Sequence, residues 1–224
     1  MRAWKSLGEL FSGIPRKMEY LVLRNYEAFE NEQMLSEHSD IDVLTADVDG
    51  FVRLVGAEPR KLKDDHIHYK ISVAGSSIPL DIRTPGDGYY DEKWAKDLLA
   101  NRQMYQDVYY VPEPKMYFYS LLYHAIAQKR SLSNDYKERL KQMADSLGIS
   151  CPSASYCDVL NTYMRDHGYM YTYPKYLYGI ANFEKADPKL IQRDRGLMIL
   201  RHMAQSKRKI GSFVKRRWQR WVKN

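Results

Sequence analysis

Two aspartates interrupt the otherwise apolar run Ser39-Asp40-Ile41-Asp42-Val43-Leu44, and this run constrains the fold more than any other feature of the sequence. The apolar residues predict a buried β-strand, along which successive side chains point to opposite faces. Asp40 and Asp42 therefore share one face at a separation of about 7 Å. The neighbouring Ile41 and Val43 point to the other face. Because two carboxylates on one face repel each other, they require a cation, and Mg²⁺ or Mn²⁺ prefers oxygen ligands of this kind.

A third carboxylate lies in the later apolar run Ile78-Pro79-Leu80-Asp81-Ile82-Arg83. Leu80 and Ile82 flank Asp81 and predict a buried strand with the carboxylate on its opposite face. If this strand lies beside the strand of Asp40 and Asp42, the three carboxylates converge and can hold one or two metal ions. Such ions bridge phosphate oxygens, lower the pKa of a nucleophile and neutralise a leaving group. Solvated acids at a strand edge are the alternative interpretation.

The pattern of apolar residues predicts an α+β protein, in which a small mixed sheet with flanking helices precedes a helical lobe. Strands are predicted at 20–24, 41–46, 66–74 and 77–84, and the last two are joined by a turn at Gly75-Ser76. Helices are predicted at 3–14, 48–56, 92–106, 115–129, 134–147, 158–167 and 189–204. The chain is accordingly divided into an α/β core at 1–90, a helical lobe at 91–204 and a basic tail at 205–224.

The positive charge of the chain is concentrated near its C-terminal end. Ten of the 35 Lys and Arg residues lie from Arg195 onward, whereas none of the 28 Asp and Glu residues does. The rest of the chain is therefore slightly acidic, which argues against a specific nucleic-acid partner. Residues 207–224 form a basic amphipathic pattern with two tryptophans, which favours the surface of an anionic membrane. A solvated tail, a helix docked on the protein and a nucleic-acid arm are the alternatives.

Three features of the sequence indicate where in the cell the protein is expected to be. No apolar run reaches the ~18–20 residues of a membrane span, and the first residues lack the continuous apolar segment of a signal peptide. Cys151 and Cys157 fit no common metal motif and are expected to be reduced thiols. We therefore expect a cytoplasmic protein, with the tail as a peripheral contact to the inner face of the plasma membrane.

The run at 39–44, followed by a predicted helix, a hairpin and the Leu80-Asp81-Ile82 strand, resembles the nucleotidyltransferase fold of the polymerase-beta type over residues 18–90. Two further segments are similar to nucleotidyltransferase-like proteins associated with bacterial capsule and lipopolysaccharide gene clusters. These are Leu21-Val22-Leu23-Arg24-Asn25-Tyr26-Glu27 and Tyr123-His124-Ala125-Ile126. The resemblance implies a nucleotidyltransferase-type sheet and catalytic Mg²⁺ or Mn²⁺ bound by Asp40, Asp42 and Asp81. Asp81 would also assist deprotonation of the acceptor.

The residues that would bind phosphate follow from the same resemblance and from their positions. The family has a Gly-Ser turn upstream of the paired acids, where this chain has Arg24-Asn25-Tyr26, and Arg24 can replace the turn by a charged contact to phosphate. Arg83 follows Asp81 on the same predicted face, with a salt bridge to one of the acids as its alternative role. His124 is a further candidate for substrate contact, or else a packed histidine. The candidate nucleotide-binding residues are Arg24, Asn25, Ser39, Arg83 and Lys70.

These inferences predict a Mg²⁺-dependent enzyme that transfers a nucleotidyl group to a sugar, glycan or related acceptor in cell-surface polysaccharide biosynthesis. Because the Gly-Ser turn is absent, a phosphotransferase that uses a CDP-linked donor, similar to the choline-phosphate transferases, is a second hypothesis. A non-catalytic binding module of the same fold at a membrane surface is the third.

Overall fold

The computed structural model describes residues 2–30, 40–60, 68–129, 132–172 and 186–192. Within these ranges the protein is α+β, as the sequence predicts, with a mixed sheet followed by a helical region. The strands are β1 (Ala3–Trp4), β2 (Tyr20–Val22), β3 (Ile41–Thr45), β4 (Glu58–Arg60), β5 (His68–Val73), β6 (Ser76–Arg83), β7 (Gln103–Tyr105) and β8 (Tyr109–Val111). The α-helices are α1 (Leu7–Ser12), α2 (Val48–Val55), α3 (Glu92–Ala100), α4 (Pro114–Tyr123), α5 (Asn134–Ser146) and α6 (Tyr156–His167).

The first six strands of the described residues form one mixed sheet. Its order is β1-β5-β6-β3-β2, and β4 pairs with β5. Strands β3 and β6 are parallel neighbours, whereas β2 is antiparallel to β3 and β5 is antiparallel to β6. The β5–β6 hairpin turns at Ala74 and Gly75, which both have positive φ (50° and 78°), as a type I′ turn requires. The turn predicted at Gly75-Ser76 is one residue too late, because Ser76 already pairs with Val73.

Alternation of side chains along β3 separates two apolar cores. Ile41 and Val43 belong to a core that includes residues of α1 and α2. Leu44 points to the opposite face and packs with the helical region. Asp42 lies on the face of Leu44, and it is only 3% exposed. The sheet thus places a carboxylate where it is enclosed by the helical region.

Aromatic residues form much of the core of the helical region. Trp94 of α3 is fully buried and stacks on Tyr169, with the ring centroids 5.3 Å apart. Leu21 and Leu44 of the sheet, with Leu23 directly after β2, belong to the same buried cluster as Trp94. Buried contacts therefore cross residue 90, and the division of the chain into separate units stays a prediction.

Three of the predicted helices differ from the structure. The first four residues of the predicted helix at 3–14 are not helical, because Ala3 and Trp4 pair with β5 and the Ser6 side chain caps α1. The helix predicted at 92–106 ends at Ala100 and is followed by the β7–β8 hairpin. The helix predicted at 189–204 is wrong at its start, since Pro188–Leu190 is a 3₁₀ turn and Ile191 bridges to Tyr171.

Some predicted features lie outside the described residues. These are Ser39, the tail at 205–224 with its segment 207–224, and the predicted helix beyond residue 192. Among the helices in the described ranges, none has the length and apolar character needed to cross a membrane.

Asp91 bonds to the start of α3, to Met170 and to Gln192, so its replacement tests how these three segments are held together. Its Oδ1 accepts hydrogen bonds from the backbone N–H groups of Lys93 and Trp94, which caps α3. Its Oδ2 accepts from Met170 N at 3.2 Å and from Gln192 Nε2 at 3.3 Å. We expect Asp91→Ala to lower the free energy of unfolding by about 2 kcal/mol, the upper end of the range for a lost N-cap.

Urea denaturation measures this loss, and Asp47→Ala is the matched control. Asp47 caps α2 through a single bond to Gly50 N and is exposed. Its removal should cost about 1 kcal/mol. Equal losses for the two variants would contradict the role assigned to Asp91.

Candidate metal centre

The pairing of β3 with β6 brings the three carboxylates together. Asp42 and Asp81 are register partners in this parallel pair, so their side chains project from the same face of the sheet. Asp40, which precedes β3, is exposed at the end of the same face. One carboxylate oxygen from each of the three residues lies within 4.8 Å of the other two. This group of three carboxylates is called the acidic triad below.

Asp42 is the buried member of the triad, and a guanidinium lies beside it. Arg24 Nη2 donates a hydrogen bond to Asp42 Oδ1 at 2.7 Å, and the Arg24 side chain is only 9% exposed. Burial raises the pKa of Asp42, and the charges of Asp40 and Asp81 raise it further, whereas Arg24 lowers it. The carboxylate therefore depends on a nearby positive charge to remain ionised.

Asp81 has a histidine neighbour, His68, that is not among the candidate residues predicted from the sequence. His68 Nδ1 lies against Asp81 Oδ1. The register of the hairpin accounts for this contact, because Tyr69 pairs with Leu80 and the preceding residue therefore faces Asp81. Counting outward from the turn predicted at Gly75-Ser76 would instead have placed Lys70 opposite Asp81, so the sequence did not identify His68.

The donor set fits Mg²⁺ or Mn²⁺. All three side chains offer carboxylate oxygens, which these ions prefer. Among the described residues, Arg24 contacts one oxygen of Asp42 and His68 contacts one oxygen of Asp81. The second oxygen of each carboxylate and the exposed Asp40 are then the ligands available to an ion. The buried guanidinium of Arg24 already supplies one positive charge to Asp42.

The segment that replaces the Gly-Ser turn is engaged in internal contacts. Arg24 bonds to Asp42 and to the Tyr89 hydroxyl, the latter at 2.8 Å. Asn25 has a φ of 60°, a left-handed conformation that asparagine tolerates better than most residues. Its Oδ1 accepts a hydrogen bond from Arg139 Nη1 at 2.8 Å. The structure therefore directs Arg24 to the triad and gives Asn25 a role in the turn after β2.

The other two basic candidates have different surroundings. Arg83 lies on the same face of β6 as Asp81, and its guanidinium is 4.2 Å from the centroid of the Tyr89 ring. Its buried Nε has no hydrogen-bond partner among the described residues, and no ion pair joins Arg83 to the triad there. Lys70 is more exposed, and its Nζ lies 3.8 Å from Glu58 Oε2.

Tyr89 connects the triad to the helical region, and the sequence gives no signal for it. Its hydroxyl bonds to Arg24 and lies 3.2 Å from His124 Nδ1, which also contacts Gln128 Oε1 at 2.7 Å. Gln128 Nε2 donates back to the Tyr89 carbonyl at 3.2 Å. Asp87, in the turn after β6, accepts a hydrogen bond from Tyr89 N. Burial raises the pKa of Tyr89 to about 12, so the hydroxyl stays protonated at neutral pH.

His124 begins a π-helical turn, His124–Gln128, that continues α4. Burial lowers the pKa of His124 well below its ordinary value, and the charges of Arg24, Lys129 and Arg83 lower it further, whereas the bond to Gln128 opposes them. The folded protein therefore holds His124 neutral at neutral pH. His124 is buried in the helical region, and its ring also contacts the Tyr89 hydroxyl that bonds to Arg24.

This neutral histidine predicts a dependence of stability on pH. As the pH falls below the ordinary histidine pKa near 6.5, the unfolded chain takes up a proton that folded His124 does not. The free energy of unfolding should therefore fall with decreasing pH, with a contribution from His124 of at most about 1.4 kcal/mol per pH unit. Urea denaturation between pH 7 and pH 5 measures it, and His124→Asn should reduce the slope. The exposed His167 is the control: if His167→Gln reduces the slope equally, the assignment to His124 is wrong.

Comparison with known proteins finds no relative of this chain. The chain matches no family model, and neither a curated protein nor a solved structure resembles it at a significant level. The interpretation of the site therefore rests on its own residues.

Proposed function

We propose that the chain is a Mg²⁺- or Mn²⁺-dependent nucleotidyltransferase that acts on a sugar, glycan or related acceptor in cell-surface polysaccharide biosynthesis. The observation that carries the proposal is the pairing of Asp42 with Asp81 across two parallel strands, next to Asp40. This arrangement supports oxygen ligation of a divalent ion. The choice of nucleotidyl transfer and of acceptor rests on the resemblance of the motifs at 39–44 and 80–82.

Each polar residue near the triad has a role in this proposal. The triad would hold the ion, and a bound ion would supply positive charge to phosphate oxygens and to an acceptor hydroxyl. Arg83 binds a phosphate oxygen of the donor, since it lies on the face of Asp81 and stacking on Tyr89 orients its guanidinium. His68, whose Nδ1 lies against Asp81, can share a proton that Asp81 accepts from the acceptor hydroxyl.

The segment after β2 supports a second candidate function. Arg24 and Asn25 are bound to Asp42, Tyr89 and Arg139, so this segment does not offer the phosphate contacts of a Gly-Ser turn. A donor with a shorter phosphate chain needs fewer such contacts. A phosphotransferase that moves a phospho-alcohol from a CDP-linked donor is therefore the alternative.

A donor panel separates the two candidates. The full chain is incubated with Mg²⁺, a mixture of sugar acceptors and either one nucleoside triphosphate or one CDP-alcohol, and the released product is identified. Acceptor-dependent release of pyrophosphate is expected from a nucleotidyltransferase. Release of CMP from a CDP-alcohol would support the phosphotransferase and overturn the first candidate.

Two variants test whether the release of pyrophosphate or CMP depends on the acidic triad. Asp81→Asn should be inactive, whereas Asp49→Asn should remain active because Asp49 is an exposed acid on α2. The shift in Tm on addition of Mg²⁺ is compared between the wild type and Asp81→Asn. If no donor reacts and this shift is no larger in the wild type than in Asp81→Asn, both enzymatic candidates are contradicted. The third hypothesis, a non-catalytic binding module, would then be favoured.

A further inference from the structure

Arg24 differs from the other cations near the acidic triad because it is both buried and fixed. Its side chain is 9% exposed, and its guanidinium bonds to Asp42 on one side and to Tyr89 on the other. Taking a guanidinium and a carboxylate out of water is costly, so such a pair persists only where both groups are well bonded. The chain therefore keeps one permanent positive charge against the most buried carboxylate of the triad.

Tyr89, which bonds to Arg24, is itself held by contacts with His124 and Gln128. The Tyr89 hydroxyl lies between Arg24 and His124, and Gln128 contacts both the His124 ring and the Tyr89 carbonyl. Because these groups orient one another, the Tyr89 oxygen has a fixed position, and Arg24 has little freedom to move away from Asp42. Arg24 is thus built into the site.

The charge balance of the site follows from this geometry. The triad carries three negative charges when it is ionised, and Arg24 is the cation bonded to its most buried member. A divalent ion adds two positive charges, so a second ion at the triad would be repelled both by the first ion and by Arg24. Arg24 also occupies Asp42 Oδ1, so this oxygen is not available to an ion while the bond is in place.

We propose that the site holds a single divalent ion and that Arg24 takes the place of a second one. The inference rests on the proposed function, because it concerns ions at the same triad. Arg24 is here a positioning residue that acts through Asp42. It competes with the metal for this carboxylate and thereby weakens metal binding.

The ion count in the wild-type chain is the first test. Mn²⁺ is titrated into the full chain, and the bound fraction is measured by electron paramagnetic resonance for the wild type and for Asp81→Asn. One Mn²⁺ per chain that is lost in Asp81→Asn supports the inference. Two ions lost in Asp81→Asn would overturn it and leave the proposed function in place. If no ion is lost, the proposed function and the inference both fail.

Removal of the guanidinium is the second test. Arg24→Gln should bind Mn²⁺ roughly tenfold more tightly than the wild type, because one positive charge within a few ångströms of the ion is lost. A merely structural role predicts the opposite, since a disturbed site binds metal more weakly. Unchanged or weaker binding would overturn the inference. The ion count in the wild type tests it even if Arg24→Gln does not fold.

The matched control for Arg24→Gln is Arg165→Gln. Arg165 also pairs with an aspartate, Asp187, at 2.9 Å, but its side chain is 57% exposed and lies on α6. Arg165→Gln removes the same charge from the chain, and it should leave the Mn²⁺ affinity unchanged. An equal rise in affinity for both variants would attribute the effect to net charge and overturn the role of Arg24.

Discussion

Asp81→Asn is expected to weaken Mg²⁺ binding by at least about 100-fold, because even the loss of groups that only support metal ligands commonly costs 10–100-fold. Asparagine keeps the shape of the side chain and one oxygen, but it lacks the charge that draws the ion. The Asp81 side chain is 20% exposed and lies in a strand that is paired on both sides of this residue, so the fold should persist. Isothermal titration with Mg²⁺ measures the affinity, and the donor panel should show that transfer is lost.

The control for Asp81→Asn is Asp49→Asn, which removes an equal charge from an exposed position on α2. We expect the control to retain the wild-type Mg²⁺ affinity. If Asp81→Asn also retains that affinity, Asp81 is not a ligand and the account of the triad is wrong.

Asp42→Ala should have the largest effect on stability, with a loss of about 3–5 kcal/mol in the free energy of unfolding. The substitution leaves Arg24 buried without its carboxylate, and an uncompensated buried charge accounts for most of the cost. Urea denaturation without added metal measures this loss separately from any effect on metal binding. The same variant should also lose metal binding, because it removes a ligand of the triad.

A double variant distinguishes the loss of the ion pair from the loss of packing. In Arg24→Met with Asp42→Leu both charges are replaced by apolar groups, so no buried charge remains. Such replacements of buried pairs are often neutral or stabilising. We expect the double variant to be more stable than Asp42→Ala. If it is equally unstable, the cost of Asp42→Ala does not come from the buried charge.

The sequence predicts the central geometry of the site because that geometry depends on local patterns. Apolar residues on both sides of Asp42 and Asp81 define two strands, and alternation sets the face of each carboxylate. The sequence leaves open whether the two strands are neighbours, and the structure shows that they pair in register. The contact of His68 with Asp81 was not predicted, because the turn predicted at Gly75-Ser76 would place Lys70 opposite Asp81, whereas the observed turn at Ala74-Gly75 places His68 there.

The surroundings of the triad were not predictable in the same way. Arg24 and Tyr89 come from segments 18 residues before and 47 residues after Asp42, and only the tertiary fold brings them together. The end of α3 at Ala100 also depends on tertiary packing, because residues 103–111 pair as a hairpin instead of extending the helix. An apolar pattern with a period of 3.6 residues does not show whether residues 103–111 extend the helix or form a hairpin.

The most direct test of the account is the position of Mn²⁺ in a crystal of the full chain. Crystals soaked in Mn²⁺ are examined by anomalous diffraction at a wavelength where this ion scatters anomalously. One peak is expected, bound by oxygens of Asp40, Asp42 and Asp81, with Arg24 still on Asp42. Absence of a peak at the triad, with Mn²⁺ bound elsewhere on the same molecule, would contradict it.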